Sequence, residues 1–289
     1  MNEFALQIDY KEQKEWSKPP MWLEMALGAV SGGLFIFSLV FDFALGAIIA
    51  LLTMLIGKGG LLLADLGRPE RFIKVLARPK ESWISKGSWG LVLFAAAAAA
   101  VVAPLVIPGW PAWGAGVGKI LAATAGGLAA FLIVYDGLFL SDSKGVSFWD
   151  NGVLPLVFGF SALVGGLGAL MVLAPIGGMA LSSSVLSVAN NCVLLAAAAS
   201  LFAYINSAAN GEGGAKRSAA RVLKGDLAQV FWVGTVGAGL GAPLLISAIG
   251  AAGAAVPAIC WAVSGLLEIT GVIATRYLIL NAGVYSPVL

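Results

Sequence analysis

The sequence predicts an all-α polytopic membrane protein of eight transmembrane helices, and three observations carry the prediction. Apolar residues make up 60% of the 289, with a mean hydropathy of +0.94, more than a soluble domain of this size needs for its core. These residues gather into eight runs of about 20, the length a helix needs to cross the hydrocarbon of a bilayer. The runs do not alternate and are far too long for barrel strands, so helices are the way this backbone satisfies its hydrogen bonds in lipid.

The predicted spans are 22–40, 43–64, 87–106, 116–140, 152–173, 185–206, 228–249 and 254–280. The first begins with Trp22, an indole suited to the interface, and carries Glu24 in its first turn. The polar first 20 residues precede any apolar run, so no cleavable signal peptide is expected. The second is apolar apart from Lys58, and the third carries an alanine run at 95–100, a small-residue packing face. The fourth ends in Tyr135-Asp136-Gly137, and the fifth takes Pro155 near its start. The sixth holds Asn190 and Asn191, and the eighth holds Glu268 and Arg276. Short matches recur four spans apart. Gly32-Gly33 matches Gly165-Gly166, Ala103-Pro104-Leu105 matches Ala242-Pro243-Leu244, and Tyr135 matches Tyr277, at offsets of 133, 139 and 142. Such a repeat predicts two four-helix halves, 1–140 and 141–289, related about an axis along the membrane normal.

Eight spans put both termini on one side, with the loops after spans two, four and six. Sixteen of the 17 cations fall on that side and Lys119 alone on the other. This bias predicts cytoplasmic termini in an inner (cytoplasmic) membrane. Removing Arg276 and the seven cations from Lys58 to Lys86 still leaves eight against one.

The stretch 65–87, DLGRPERFIKVLARPKESWISKG, holds six of those cations in 23 residues. Pro69 and Pro79 bar a helix from running through it, and Trp83 and Trp89 bracket the return to lipid. On charge alone it is equally a topogenic loop. Its wording is more specific: D-L-G-R-P-x-R-F, then R-P-x-x-S-W-I-S-K-G-x-W. With Tyr135-Asp136-Gly137, Phe148-Trp149-Asp150-Asn151 before Leu154-Pro155-Leu156, and Arg276-Tyr277 with Gly283, it resembles the NrfD/PsrC family of polysulfide-reductase-type, quinone-interacting membrane subunits. The resemblance runs over nearly the whole chain.

The chain has no histidine, which excludes bis-His haem, and Cys192 and Cys260 are too few for a cluster or zinc site. No phosphate-binding glycine motif appears, and no nucleic-acid partner is expected. Any electrons must therefore come from a partner. Ionisable groups in lipid are costly, so each invites a functional reading. Glu24, Asp65, Tyr135 and Asp136 all fall near the termini-side ends of their spans, one level where a quinone headgroup meets a donor and proton-exchanging carboxylates. The plain alternative is a hydrated, structural role at the interface. Lys58 precedes Asp65 by seven residues and Glu268 precedes Arg276 by eight, about two turns along one helix face in each case. Glu268, near mid-membrane, calls for a proton or a partner such as Asn190 or Asn191. A proton wire through Glu268, Lys58 and Arg276 is one reading, and a neutral structural Glu another.

The resemblance implies a membrane anchor that reacts with quinone or quinol (menaquinone or ubiquinone) through Tyr135. It also implies an iron–sulfur electron-transfer subunit docked on Arg68, Arg71, Arg78, Trp83 and Lys86, with a molybdopterin catalytic subunit beyond it. The alternative is a proton-coupled secondary transporter, favoured by the repeat and the intramembrane charges. The prolines at 104, 155, 243 and 257 are expected near span ends, whereas transporters tend to break helices at mid-membrane.

Overall fold

The structure, a computed structural model, describes residues 11–14, 16–65, 76, 82–179 and 183–285. Eight of its helices are long and apolar enough to cross a membrane: Pro19–Val40, Ala44–Ala64, Trp83–Val106, Ala115–Ser141, Leu154–Leu173, Ser184–Ala209, Val230–Ala251 and Ala258–Ala282. They are called spans one to eight below. Both ends of the chain meet on one side. Glu12 bridges Val284 in antiparallel fashion, Gln13 N–H donates to the Gly283 carbonyl at 2.9 Å, and Tyr285 N–H donates to that of Lys11 at 2.9 Å.

Helix contacts follow one pattern in each half. Spans one, two, three and four pack in a ring, and so do five, six, seven and eight. Span one crosses span five most closely, and among the described residues span four meets the opposite half mainly at span five, and span eight mainly at span one. At the central crossing Gly33 meets Gly166, and a Cβ on either would strike the other helix's backbone. Gly239 faces Gly271 where spans seven and eight cross, and Gly168 faces Gly265 where five and eight cross. In lipid, where there is little hydrophobic drive between helices, such close backbone approach supplies the packing.

Two spans depart from α geometry. Span two is π-helical over Thr53–Gly59, and span seven over Val230–Gly241. The second ends beside Pro243, which lies within span seven rather than at its end, contrary to expectation. Proline has no N–H to give and its ring crowds the preceding turn, so a wider turn just before it is a physically reasonable adjustment.

Two features also differ from those read in the sequence. Span three begins at Trp83, so 83–87 belongs to its first turns and the connecting segment is shorter than 65–87. A further helix, Gly213–Lys224, lies between spans six and seven, outside the eight predicted runs. It buries Ala215, Ser218, Ala219 and Val222 and exposes Lys216, Arg217 and Lys224. Arg221 clasps it to both termini, contacting Glu12 at 3.6 Å, Asp226 at 2.6 Å and the Asn281 carbonyl at 3.1 Å.

Candidate functional site

The site is built around a buried lysine. Lys58 stands in the π-helical segment of span two and is 4% exposed. Its Nζ donates to Glu24 Oε1 of span one at 2.6 Å and to both Asp136 oxygens of span four at 3.0 Å. Glu24 and Asp136 are themselves buried, each 5% exposed. Gly28 makes room for the lysine stem, because a Cβ there would lie 2.5 Å from Lys58 Cδ. One cation thus bridges two carboxylates from different helices.

Arg276 completes the charges at this level. It is fully buried, its guanidinium lies 3.7 Å above the Phe158 ring, and Nη2 donates to the Phe158 carbonyl at 3.0 Å. Its charge interacts with that of Asp136, while Nε and Nη1 have no hydrogen-bond partner among the described residues. Two carboxylates and two cations therefore share one depth, a formally neutral set inside lipid.

Tyr135, next in sequence to Asp136, faces the other way. Its hydroxyl donates to the Trp83 carbonyl at 2.9 Å, and its ring occupies the space a side chain at Gly87 would need. Span four thus turns a carboxylate towards span two and a phenol towards the start of span three. Around the phenol lie Phe131 at 5.8 Å, Phe139 at 6.2 Å and Trp83 at 6.5 Å between ring centroids. Lys86 Nζ sits 4.3 Å from the centre of the Trp83 ring, within cation–π reach. The Phe148-Trp149 element locks the next loop, with Trp149 Nε1 donating to the Ile279 carbonyl at 2.7 Å. The Phe148 carbonyl accepts from Tyr204 at 2.7 Å.

Glu24, Asp136 and Tyr135 stand together as expected. Lys58 is at their centre, paired across helices. The π-helical turns change the register on which the seven-residue spacing relied. Glu268 and Arg276 likewise take separate partners. Glu268 Oε1 accepts from Asn190 at 2.9 Å and Ser264 at 3.2 Å, and Asn191 instead accepts from Ser247 at 2.5 Å. Arg68, Arg71, Arg78 and the Asp65 side chain lie outside the described residues. Gly28 and Gly87, the glycines that admit Lys58 and Tyr135, were not singled out in the sequence. Their signal was weak among the 38 glycines of the chain.

The arrangement offers a phenol donor between aromatic walls, one residue away from a buried cluster of paired charges. A family model described as "Polysulphide reductase, NrfD" matches residues 37–287. No curated protein matches the chain.

Proposed function

The chain belongs to the NrfD family, membrane subunits of polysulfide- and nitrite-type reductases that generally work with iron–sulfur and catalytic subunits, and on that premise we propose that it is the quinone-reactive anchor of a respiratory oxidoreductase. The observation that carries the reading is the junction at Tyr135 and Asp136, where an aromatic-walled phenol adjoins the Glu24–Lys58–Asp136 cluster. A quinone headgroup is flat and apolar with two acceptor oxygens, and it accepts two electrons and two protons on reduction. The residues fit it: Trp83, Phe131 and Phe139 offer ring faces, and the Tyr135 hydroxyl offers a donor that exchanges the Trp83 carbonyl for a ligand oxygen. Glu24 of span one and Asp136, on another face of span four, are held by Lys58 and set a fixed local field beside that donor.

The basic segment supports the partner side of the reading. In this reading Arg68, Arg71 and Arg78 contribute the positive charge, and Trp83 and Lys86 the entry to span three, for docking an iron–sulfur subunit, with a molybdopterin subunit beyond it. Menaquinone and ubiquinone both suit the donor set. The charge bias supports a cytoplasmic side for this face, and with it for the partner subunits, in an inner membrane.

Tyr135→Phe in the intact complex is the test. Losing the hydroxyl leaves a ligand oxygen unpaired at a cost of about 1–3 kcal/mol, so apparent quinone affinity falls roughly five- to a hundredfold while subunit assembly survives. Unchanged turnover at limiting quinone refutes the role.

A further inference from the structure

The C-terminal ring of helices encloses a second polar region that the Tyr135 site does not use. Its centre is Glu268, fully buried in span eight and ten residues from that helix's start, close to mid-membrane. Oε1 is satisfied by Asn190 and Ser264, but Oε2 has no hydrogen-bond partner among the described residues. Two more buried atoms are left in the same state: Thr235 Oγ1 in the π-helical part of span seven, and Asn190 Oδ1. A buried polar atom without a partner carries a desolvation penalty, and the usual resolution is an ordered water.

There is room for one. A cavity of about 20 Å³ lies among spans five to eight and is lined by Glu268, Thr235, Thr275 and Ser161 with apolar neighbours. That volume accommodates a single water, and the lining supplies the polar partners such a water needs. A smaller void of about 10 Å³ shares Thr235, Thr275 and Leu201 with the first and runs on to Phe148 and to Val222 of the surface helix. The two voids form a line from mid-membrane to the termini side. Its hydroxyls are suitably disposed: Thr275 donates to the Gly271 carbonyl and Ser161 to that of Phe158, leaving their oxygen lone pairs for a water. Towards the opposite side the packing is tight. Ser247 closes on Asn191, and Gly250 lies against Ser187 with no space for a Cβ.

From this geometry we infer that Glu268 is a mid-membrane proton acceptor served by a half-channel from the termini side, through water held by Thr235, Thr275 and Ser161. The step is a proton transfer only. An O–H bond of the cavity water breaks as one forms at Glu268 Oε2, and the water regains its proton from the Thr235 hydroxyl or from a further water, each of which is reprotonated in turn from the termini side. Release towards the opposite side requires a rearrangement near Asn190 and Ser264, so the carboxyl loads from one face before it empties to the other. The inference deepens the anchor reading, because quinone chemistry at Tyr135 would supply the driving force. The half-channel itself stands on the cavity and its lining.

Two measurements on the full complex in lipid vesicles test it. Infrared difference spectra of wild type against Glu268→Gln should reveal a carboxylic C=O band that moves after transfer to D₂O. Thr235→Val, which keeps shape and removes the hydroxyl, should slow that shift at least tenfold. No band, a band that does not move, or a rate unaffected by Thr235→Val overturns the half-channel, whatever the quinone activity. In the second measurement, vesicles turning over quinol in the presence of an entrapped pH dye should lose most of their net proton movement in Glu268→Gln, while uncoupled turnover is retained. Equal proton movement per electron overturns the inference. Wild-type complex that turns over no quinone instead refutes the anchor reading, and the infrared result still decides the half-channel.

Discussion

Replacing Lys58 by methionine removes one positive charge and keeps a stem of similar length against Gly28. In the protein, Nζ lies 2.6 Å from Glu24 and 3.0 Å from both oxygens of Asp136, with all three residues about 5% exposed or less. Deleting one member of a buried ion pair costs about 3–5 kcal/mol, because the remaining charge is left in a low dielectric. Here one lysine serves two carboxylates, so the upper part of that range is expected. At roughly 2–4 °C per kcal/mol for a chain of this size, the midpoint of unfolding in detergent should drop by about 8–20 °C. The double variant Glu24→Gln/Lys58→Met separates structure from function. It removes one charge of each sign and leaves Asp136 with Arg276, so the set stays formally neutral, and neutral replacement within a buried ion cluster is often tolerated. Much of the lost stability should return, while quinone turnover by the complex stays low. A single variant within about 1 kcal/mol of wild type would show that the lysine does not bridge the two acids. Restored turnover in the double variant would show that the cluster is purely structural.

Three further outcomes are expected. Charge reversal at both Arg71 and Arg78 should release the soluble partner subunits from membranes, and a complex that survives detergent purification would leave the segment a topogenic role alone. Asp226 is held below the ordinary carboxylate range chiefly by the hydrogen bond from Arg221, and Arg221 is raised by the same bond. The Asp226 contribution is therefore complete above the ordinary carboxylate range and lost as pH falls through the depressed value, so amide exchange in the surface helix should quicken in acid in wild type but not in Asp226→Asn, by under about 1 kcal/mol for this exposed pair. For sidedness, single cysteines are best placed at the exposed Asp142 and Ala220, with Cys192 and Cys260 replaced first. Labelling of intact cells by an impermeant reagent at both positions would overturn the cytoplasmic assignment.

The spans were legible because lipid imposes a length and an apolarity that few other environments demand, and all eight lie within about four residues of their expected ends. The seventh, expected at 228–249, agrees as closely in position yet conceals a π-helical stretch, which no hydropathy pattern reports. The surface helix was legible in principle. Ala215, Ser218, Ala219 and Val222 fall on one face and Lys216, Arg217 and Lys224 on the other, but the glycines at 211, 213 and 214 read as a loop. At the site, Asn190 was legible as a partner for Glu268, because a carboxyl near mid-membrane calls for one, whereas no pattern in the sequence pointed Lys58 to Glu24 and Asp136. Those two acids lie 34 and 78 residues from the lysine, and only packing decides which faces meet. What could be read was depth: Glu24, Tyr135 and Asp136 were placed on one level by their distance from span ends, and they do stand together.

That shared depth bears on why the two halves differ. The N-terminal ring, with Arg276 leaning in from span eight, holds fixed and mutually neutralised charges. Such a set gives a strong, pre-oriented local field without a net charge in lipid, the condition under which electrostatic groups act most effectively on a reacting headgroup. The C-terminal ring holds one acid among hydroxyls and amides, with an oxygen left open onto a cavity. A lone carboxyl of that kind changes its own protonation more readily than a clamped one, because no cation opposes the change. Orientation and proton storage make opposite demands on a carboxylate. Placing them in separate rings, joined by span one crossing span five at Gly33 and Gly166, lets each be met without compromising the other.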